Sequence, residues 1–184
     1  MSQLDWNKFE NLSGAADVNF EKLCRSLIKR HYGQYGSFKE LANQAGVEFH
    51  LKLDKECELG DSTRWYGWQC KLYEIAKATN IGTARRSQIV DAIEKSKNSL
   101  KELTDWVLWT KNILTKADQE WFYGLQASYP FKLHLQTCDD IESLLIGPAL
   151  ALREAYFGEL VIDEQVLNQH YQIIASTHSK KFQP

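Results

Sequence analysis

GVEFHLKL (residues 46–53), answered by RWYGWQCKLYE (residues 64–74), is the stretch that decides the fold. In the first segment Val47, Phe49 and Leu51 alternate with Glu48, His50 and Lys52, the period of two that marks a half-buried strand. In the second, Trp68, Cys70 and Leu72 point one way while Gln69, Lys71 and Tyr73 point the other. The polar run DKECELGDST between them reads as a connecting loop, so the pair forms an antiparallel hairpin.

Upstream of the hairpin, Phe20, Leu23, Cys24, Leu27 and Ile28 recur at helical spacing, with Asp17 or Asn19 available to cap the start. The glycines of YGQYG predict that this helix stops near His31. Downstream, after the NIGT loop, Ile89, Ile93, Leu100 and Leu103 mark a long helix. DWVLWT (residues 105–110) is a short apolar strand of the kind buried on both faces. Thr115 with Asp118 resembles a capping box opening a helix that carries Ala117, Trp121 and Leu125. FKLHLQ is a further strand, and Thr137 with Asp140 caps another short helix. Helices around Leu150–Phe157 and Asp163–Ala175, separated at Gly158, complete the chain. Helix, hairpin, helix, strand, helix, strand and helices imply an α/β fold, a mixed central sheet flanked by helices with a C-terminal helical extension.

With 184 residues, 43% of them apolar and 25% charged, one domain with a substantial core is expected. A formal net charge of -2 supplies no global basic field, so any contact with nucleic acid must come from local patches. The four cysteines lie far apart without a CxxC pair, which suits reduced thiols packed in or near the core. The N-terminal MSQLDWNKFENLSG has no apolar h-region and no run is long enough to span a bilayer, so a cytoplasmic location without membrane association is expected. The sequence contains no GxSxG, HExxH, GxxxxGK[ST] or GxGxxG, which removes support for those hydrolases, P-loop NTPases and Rossmann enzymes.

The hairpin carries residues suited to a different chemistry. Metal-assisted phosphodiester hydrolysis needs hard oxygen ligands for the ion and a cation near the attacking water. Glu48 lies on the polar side of the first strand, and Gln69 and Lys71 share one face of the second. Glu21 follows Phe20 on the first helix, where it is placed to look towards the sheet or simply to favour the helix dipole. His50 lies beyond Glu48 on the same polar face.

FEKLCRSLIKR, GVEFHLKL, GWQCKLYE, a helix and DWVLWT, in that order, resemble the Mrr-like branch of the PD-(D/E)xK nucleases, in which the second acidic position is commonly glutamine. Gln69-Cys70-Lys71 matches the resulting QxK, and Glu48 stands where aspartate is more usual. The resemblance covers roughly residues 19–135 and implies a restriction-endonuclease-like nuclease domain over residues 1–146, with residues 147–184 as the helical extension. It implies that Glu48 binds Mg²⁺ (Mn²⁺ as a substitute), that Gln69 helps through its side-chain or neighbouring backbone oxygen, that Lys71 orients or activates water, and that Glu21 assists. The expected substrate is double-stranded DNA, and two copies of the chain are the simplest way to cut both strands. The GVEF and GWQCK pair, with a tail ending in HSKKFQP, also resembles the N-terminal nuclease effector of bacterial antiphage STAND NTPases, where an NTPase and sensor region follow.

Arg64, Arg85 and Arg86 are candidates for phosphate contacts, beside Lys95, Lys97 and Lys101; the interspersed Asp91, Glu94 and Glu102 equally suit a solvated face. Most of the tryptophans fall in apolar patterns and read as core. Glutamine in place of a second carboxylate also fits an alternative, a catalytically inert nuclease-like fold that binds DNA or protein, and RNA stands beside DNA as a substrate.

Overall fold

Alternation in the hairpin and the doubly apolar DWVLWT build a sheet whose two faces need separate helical covers. The computed structural model describes residues 4–41, 46–73 and 80–159. Its sheet has five strands in sequence order: β1 (Gly36–Glu40), β2 (Phe49–Leu53), β3 (Trp65–Lys71), β4 (Asp105–Thr110) and β5 (Lys132–Gln136). β1, β2 and β3 are antiparallel neighbours, while β3, β4 and β5 run parallel, giving the expected mixed α/β sheet flanked by helices.

One face is covered by α1 (Trp6–Glu10), α2 (Ala16–Tyr32), α5 (Cys138–Leu144) and α6 (Leu150–Phe157). There Phe20, Leu23, Cys24 and Leu27 of α2 pack with Phe49, Leu51, Trp68, Cys70 and Trp109 of the sheet. The other face is covered by α3 (Gly82–Ser99) and α4 (Lys116–Gly124), whose Ile89, Ile93 and Phe122 meet Trp106, Leu108 and Leu133. Every residue of β4 is buried, because parallel neighbours on both sides and helices on both faces leave it no solvent. Aromatic packing of Trp6 and Phe9 against Phe157 joins α1 to α6. The anticipated helix at Asp163–Ala175 lies outside the described residues.

Several expectations are corrected. β1 has no apolar alternation to announce it; it is a half-exposed edge strand paired to β2 through its main chain. α2 begins three residues before Asn19, with Ala15 at the cap position; Asp17 lies in its first turn and Asn19 donates to the Ser13 carbonyl from within the helix. α3 ends at Ser99, so Leu100 and Leu103 pack from the following loop. α4 buries Asp118 and Phe122 and leaves Ala117 exposed. Thr115 caps α4 by accepting from the Asp118 N–H, but the Asp118 carboxylate turns to the Ile81 N–H and Arg86 rather than completing a box. Thr137 and Asp140 do form both halves of a box.

The most consequential correction concerns β2. Its ladder with β3 ends at Phe49 opposite Trp68, one residue after Glu48. The Glu48 N–H bonds the Trp68 carbonyl while its C=O accepts from Leu41, so its two main-chain groups serve opposite neighbours. Regular β backbone sends both to the same side. The chain therefore rotates here, and Val47 joins the α3 side of the core instead of following Phe49 and Leu51.

Gly46 makes this turn sterically feasible. Its φ is +75°, and a Cβ there would lie 2.0 Å from the Ala92 carbonyl of α3. Gly46→Ala is expected to lose at least ~2 kcal/mol, seen as a fall in melting temperature of roughly 4–8 °C. A melting curve identical to the parent's would show that this approach to α3 is relaxed in solution.

Candidate active site

Where β2 rotates away, the edge of β3 loses its partner. Trp68 and Cys70, two residues apart, turn their main-chain groups to the same side. Trp68 still meets the Glu48 N–H, but Cys70 meets only a side chain: its N–H donates to Glu48 Oε2 at 2.9 Å. The Gln69 side-chain amide donates to Glu48 Oε1, and Lys71 Nζ lies 3.5 Å from the same oxygen. The carboxylate thus fills the place of the missing strand, held by three consecutive residues of β3.

The site is buried at its centre and open at its margin. The Glu48 side chain is 10% exposed and that of Lys71 33%. Burial pushes the Glu48 carboxyl above its ordinary pKa; Lys71 and the Cys70 N–H pull it back, and the charge of Glu21 raises it further. Cys70 turns its own side chain to the opposite face, against Cys24 of α2, where burial raises both thiols. All four cysteines are free.

Two clefts meet here. One of about 400 Å³ is lined by Gly46, Glu48, Gln69, Lys71, Asp91 and Lys95. The other, about 1050 Å³, runs past Glu21, Glu48, Lys71, Tyr73 and Arg85. The structure therefore brings Glu48, Gln69 and Lys71 together, with Glu21 on the wall of the larger cleft and 3.9 Å from Arg25. Arg85 lines the same cleft with its guanidinium over the Tyr73 ring. Tyr73 lines the larger cleft and Lys95, one of the basic residues considered for phosphate contact, lines the smaller. Tyr73 was not expected there, although the period-two continuation of Gln69 and Lys71 was the available signal.

Other candidates stand elsewhere. Arg64 precedes the opposite end of β3 and pairs with the buried Asp105, which also receives His134. Arg86 pairs at 2.7 Å with Asp118 and stacks over Trp121. Burial alone would raise Asp118, but hydrogen bonds from Arg86, Thr115 and the Ile81 N–H outweigh it and hold this carboxyl low. Both arginines thus tie elements together. His50 accepts from Trp65 Nε1 and does not line the clefts; burial, then Lys39, lowers its pKa.

The donors suit a hard divalent cation: the Glu48 carboxylate, the Gln69 amide oxygen left after its nitrogen is used, and the Cys70 carbonyl facing the gap. Among the described residues, no three His, Cys, Asp or Glu side chains converge as a metal cluster, so any ion here would keep much of its water. Also among the described residues, no helix is long and apolar enough to cross a membrane.

The class defined by fold and site is a mixed-sheet α/β protein with a carboxylate, amide and ammonium at the divergence of two central strands. No protein-family model matches the chain, and comparison with curated proteins gives no match. Among solved structures it is similar to the DNA modification-dependent restriction endonuclease AspBHI, with 16% identity and a TM-score of 0.37. The likeness covers 83% of this chain and 40% of that one.

The raised Glu48 pKa fixes the direction of a stability effect. The native state holds this proton to higher pH than the unfolded chain, so stability falls as pH rises through and above the ordinary carboxylate range. Glu48→Gln removes this titration, so the melting temperature of the parent relative to the variant is expected to rise as the pH is lowered through the carboxylate range, at ~2–4 °C per kcal/mol in a chain of this size. A difference between the two that stays constant with pH, or shifts the other way, would show that the carboxyl is not held above its ordinary range.

Proposed function

We propose that this chain is a Mg²⁺-dependent nuclease that hydrolyses phosphodiester bonds of double-stranded DNA, with Glu48, Gln69 and Lys71 as its centre and Glu21 in support. The observation that carries this reading is the convergence on Glu48 of the Gln69 amide, the Cys70 N–H and the Lys71 ammonium in a cleft open to solvent. An ordinary solvated sheet face does not bury a carboxylate to this degree and then leave it beside an open cleft.

Each residue has a distinct task in this reading. Glu48, with the Gln69 amide oxygen and the Cys70 carbonyl, would hold the ion, and Gln69 and the Cys70 N–H fix the carboxylate's orientation. Bound Mg²⁺ supplies charge neutralisation at the phosphoryl oxygens and a lowered pKa for a coordinated water. Lys71, tethered to Glu48 but a third exposed, donates to the attacking water or to the phosphoryl oxygen on which negative charge develops. Glu21 adds negative charge on the far wall of the cleft, where it favours a second cation or a bridging water. The sequence resemblance to antiphage effectors supports a role in defence against phage, as the nuclease part of a larger NTPase-containing protein.

Plasmid DNA incubated with Mg²⁺ or Mn²⁺ is expected to be cut, and EDTA to stop the reaction. Glu48→Ala and Lys71→Ala should each reduce the rate at least ~100-fold while circular dichroism stays at the parental level. Cleavage at the parental rate by either variant would remove the assignment. The circuit that already engages both Glu48 oxygens favours a second reading, a DNA- or protein-binding module without hydrolysis; DNA binding by a parent protein inert with every divalent cation would select it.

A further inference from the structure

The two clefts share Glu48, Lys71 and Gln88, so they form one groove passing the candidate centre. Its walls differ in sign. α2 contributes Asp17 and Glu21, whereas α3 contributes Arg85 at one end and Lys95 at the other, with Asp91 between. Positions 85, 88, 92 and 95 fall at helical spacings of three and four, so they occupy one face of α3 along the groove. The start of α3 has no side-chain cap, and Gly82, Thr83 and Ala84 of its first turn line the larger cleft, where the helix dipole favours an anion. Tyr73, beneath Arg85, has a buried hydroxyl with no hydrogen-bond partner among the described residues.

We infer that one strand of duplex DNA lies along α3, with Arg85 and Lys95 as positioning residues that grip phosphates on either side of the one presented to Lys71. This rests on the proposed nuclease reading and adds the path and polarity of the substrate. The ten residues from Arg85 to Lys95 span ~15 Å of helix, about four nucleotide steps at the ~3.4 Å rise of a strand. The acidic α2 wall repels the phosphates and leaves its side of the groove to cations. Cation side and phosphate side thus face each other across Glu48 and Lys71.

Binding of a short fluorescein-labelled DNA duplex, followed by anisotropy in EDTA so that nothing is cut, tests the path. Arg85→Gln and Lys95→Gln are each expected to weaken binding roughly 3- to 10-fold and to flatten the slope of log K against log salt by ~0.9. Lys116→Gln, on α4 and outside both clefts, should match the parent, and Arg85→Lys should recover most of the loss. With the parental protein, methylphosphonate interference should mark two phosphates about four nucleotides apart. Parental affinity and salt slope in both glutamine variants would overturn the inference even if the parent cleaves DNA. Equal losses in Lys116→Gln would also overturn it, as would an RNA duplex that outcompetes the DNA. Losses confined to Arg85 and Lys95 in a protein that never cleaves would uphold the path and remove the nuclease reading.

Discussion

An N–H group at the rim of a broken ladder organises this molecule's candidate chemistry. Because β2 joins β3 only from Phe49 onward, Cys70 must find a substitute acceptor or leave a partly buried donor without one, at a cost of about 1–3 kcal/mol. The Glu48 carboxylate meets that need, and in doing so is drawn out of water among groups that only partly offset its burial. Gly46 on one side and the Trp68 carbonyl on the other hold the turn in place. The irregularity is thus built by main-chain hydrogen bonding before any ligand is considered.

Much of this was legible in the sequence because it depends on period. Alternation in GVEFHLKL and GWQCKLYE placed Glu48, Gln69 and Lys71 on neighbouring strands, and the unbroken apolar run of DWVLWT announced a central strand. β1 was invisible because an edge strand half open to solvent needs no apolar repeat. The reset at Val47 was equally hidden, since the letters continue to alternate while the backbone does not. Arg64 and Arg86 looked like free charges because their partners, Asp105 and Asp118, lie 41 and 32 residues away.

Those two arginines show how charge is used away from the cleft. Asp118 reaches the Ile81 N–H at the start of α3 and Arg86 one turn further on, so α4 fixes where α3 begins. Since α3 forms a wall of both clefts, a half-buried ion pair on one side of the helix sets the position of the polar groups on the other. Asp105 ties Arg64 and His134 together at the opposite end of the parallel strands, stitching β4 to its neighbours on both sides.

β4 carries a further implication. Its Trp106 points into one helical layer and donates to Ser96, while Trp109 points into the other and donates to the Thr137 carbonyl. Six residues therefore serve as a shared spine, and the two halves of the interior cannot loosen independently. The groove lies at the margin of this spine, so its walls borrow their rigidity from a strand that touches no part of it.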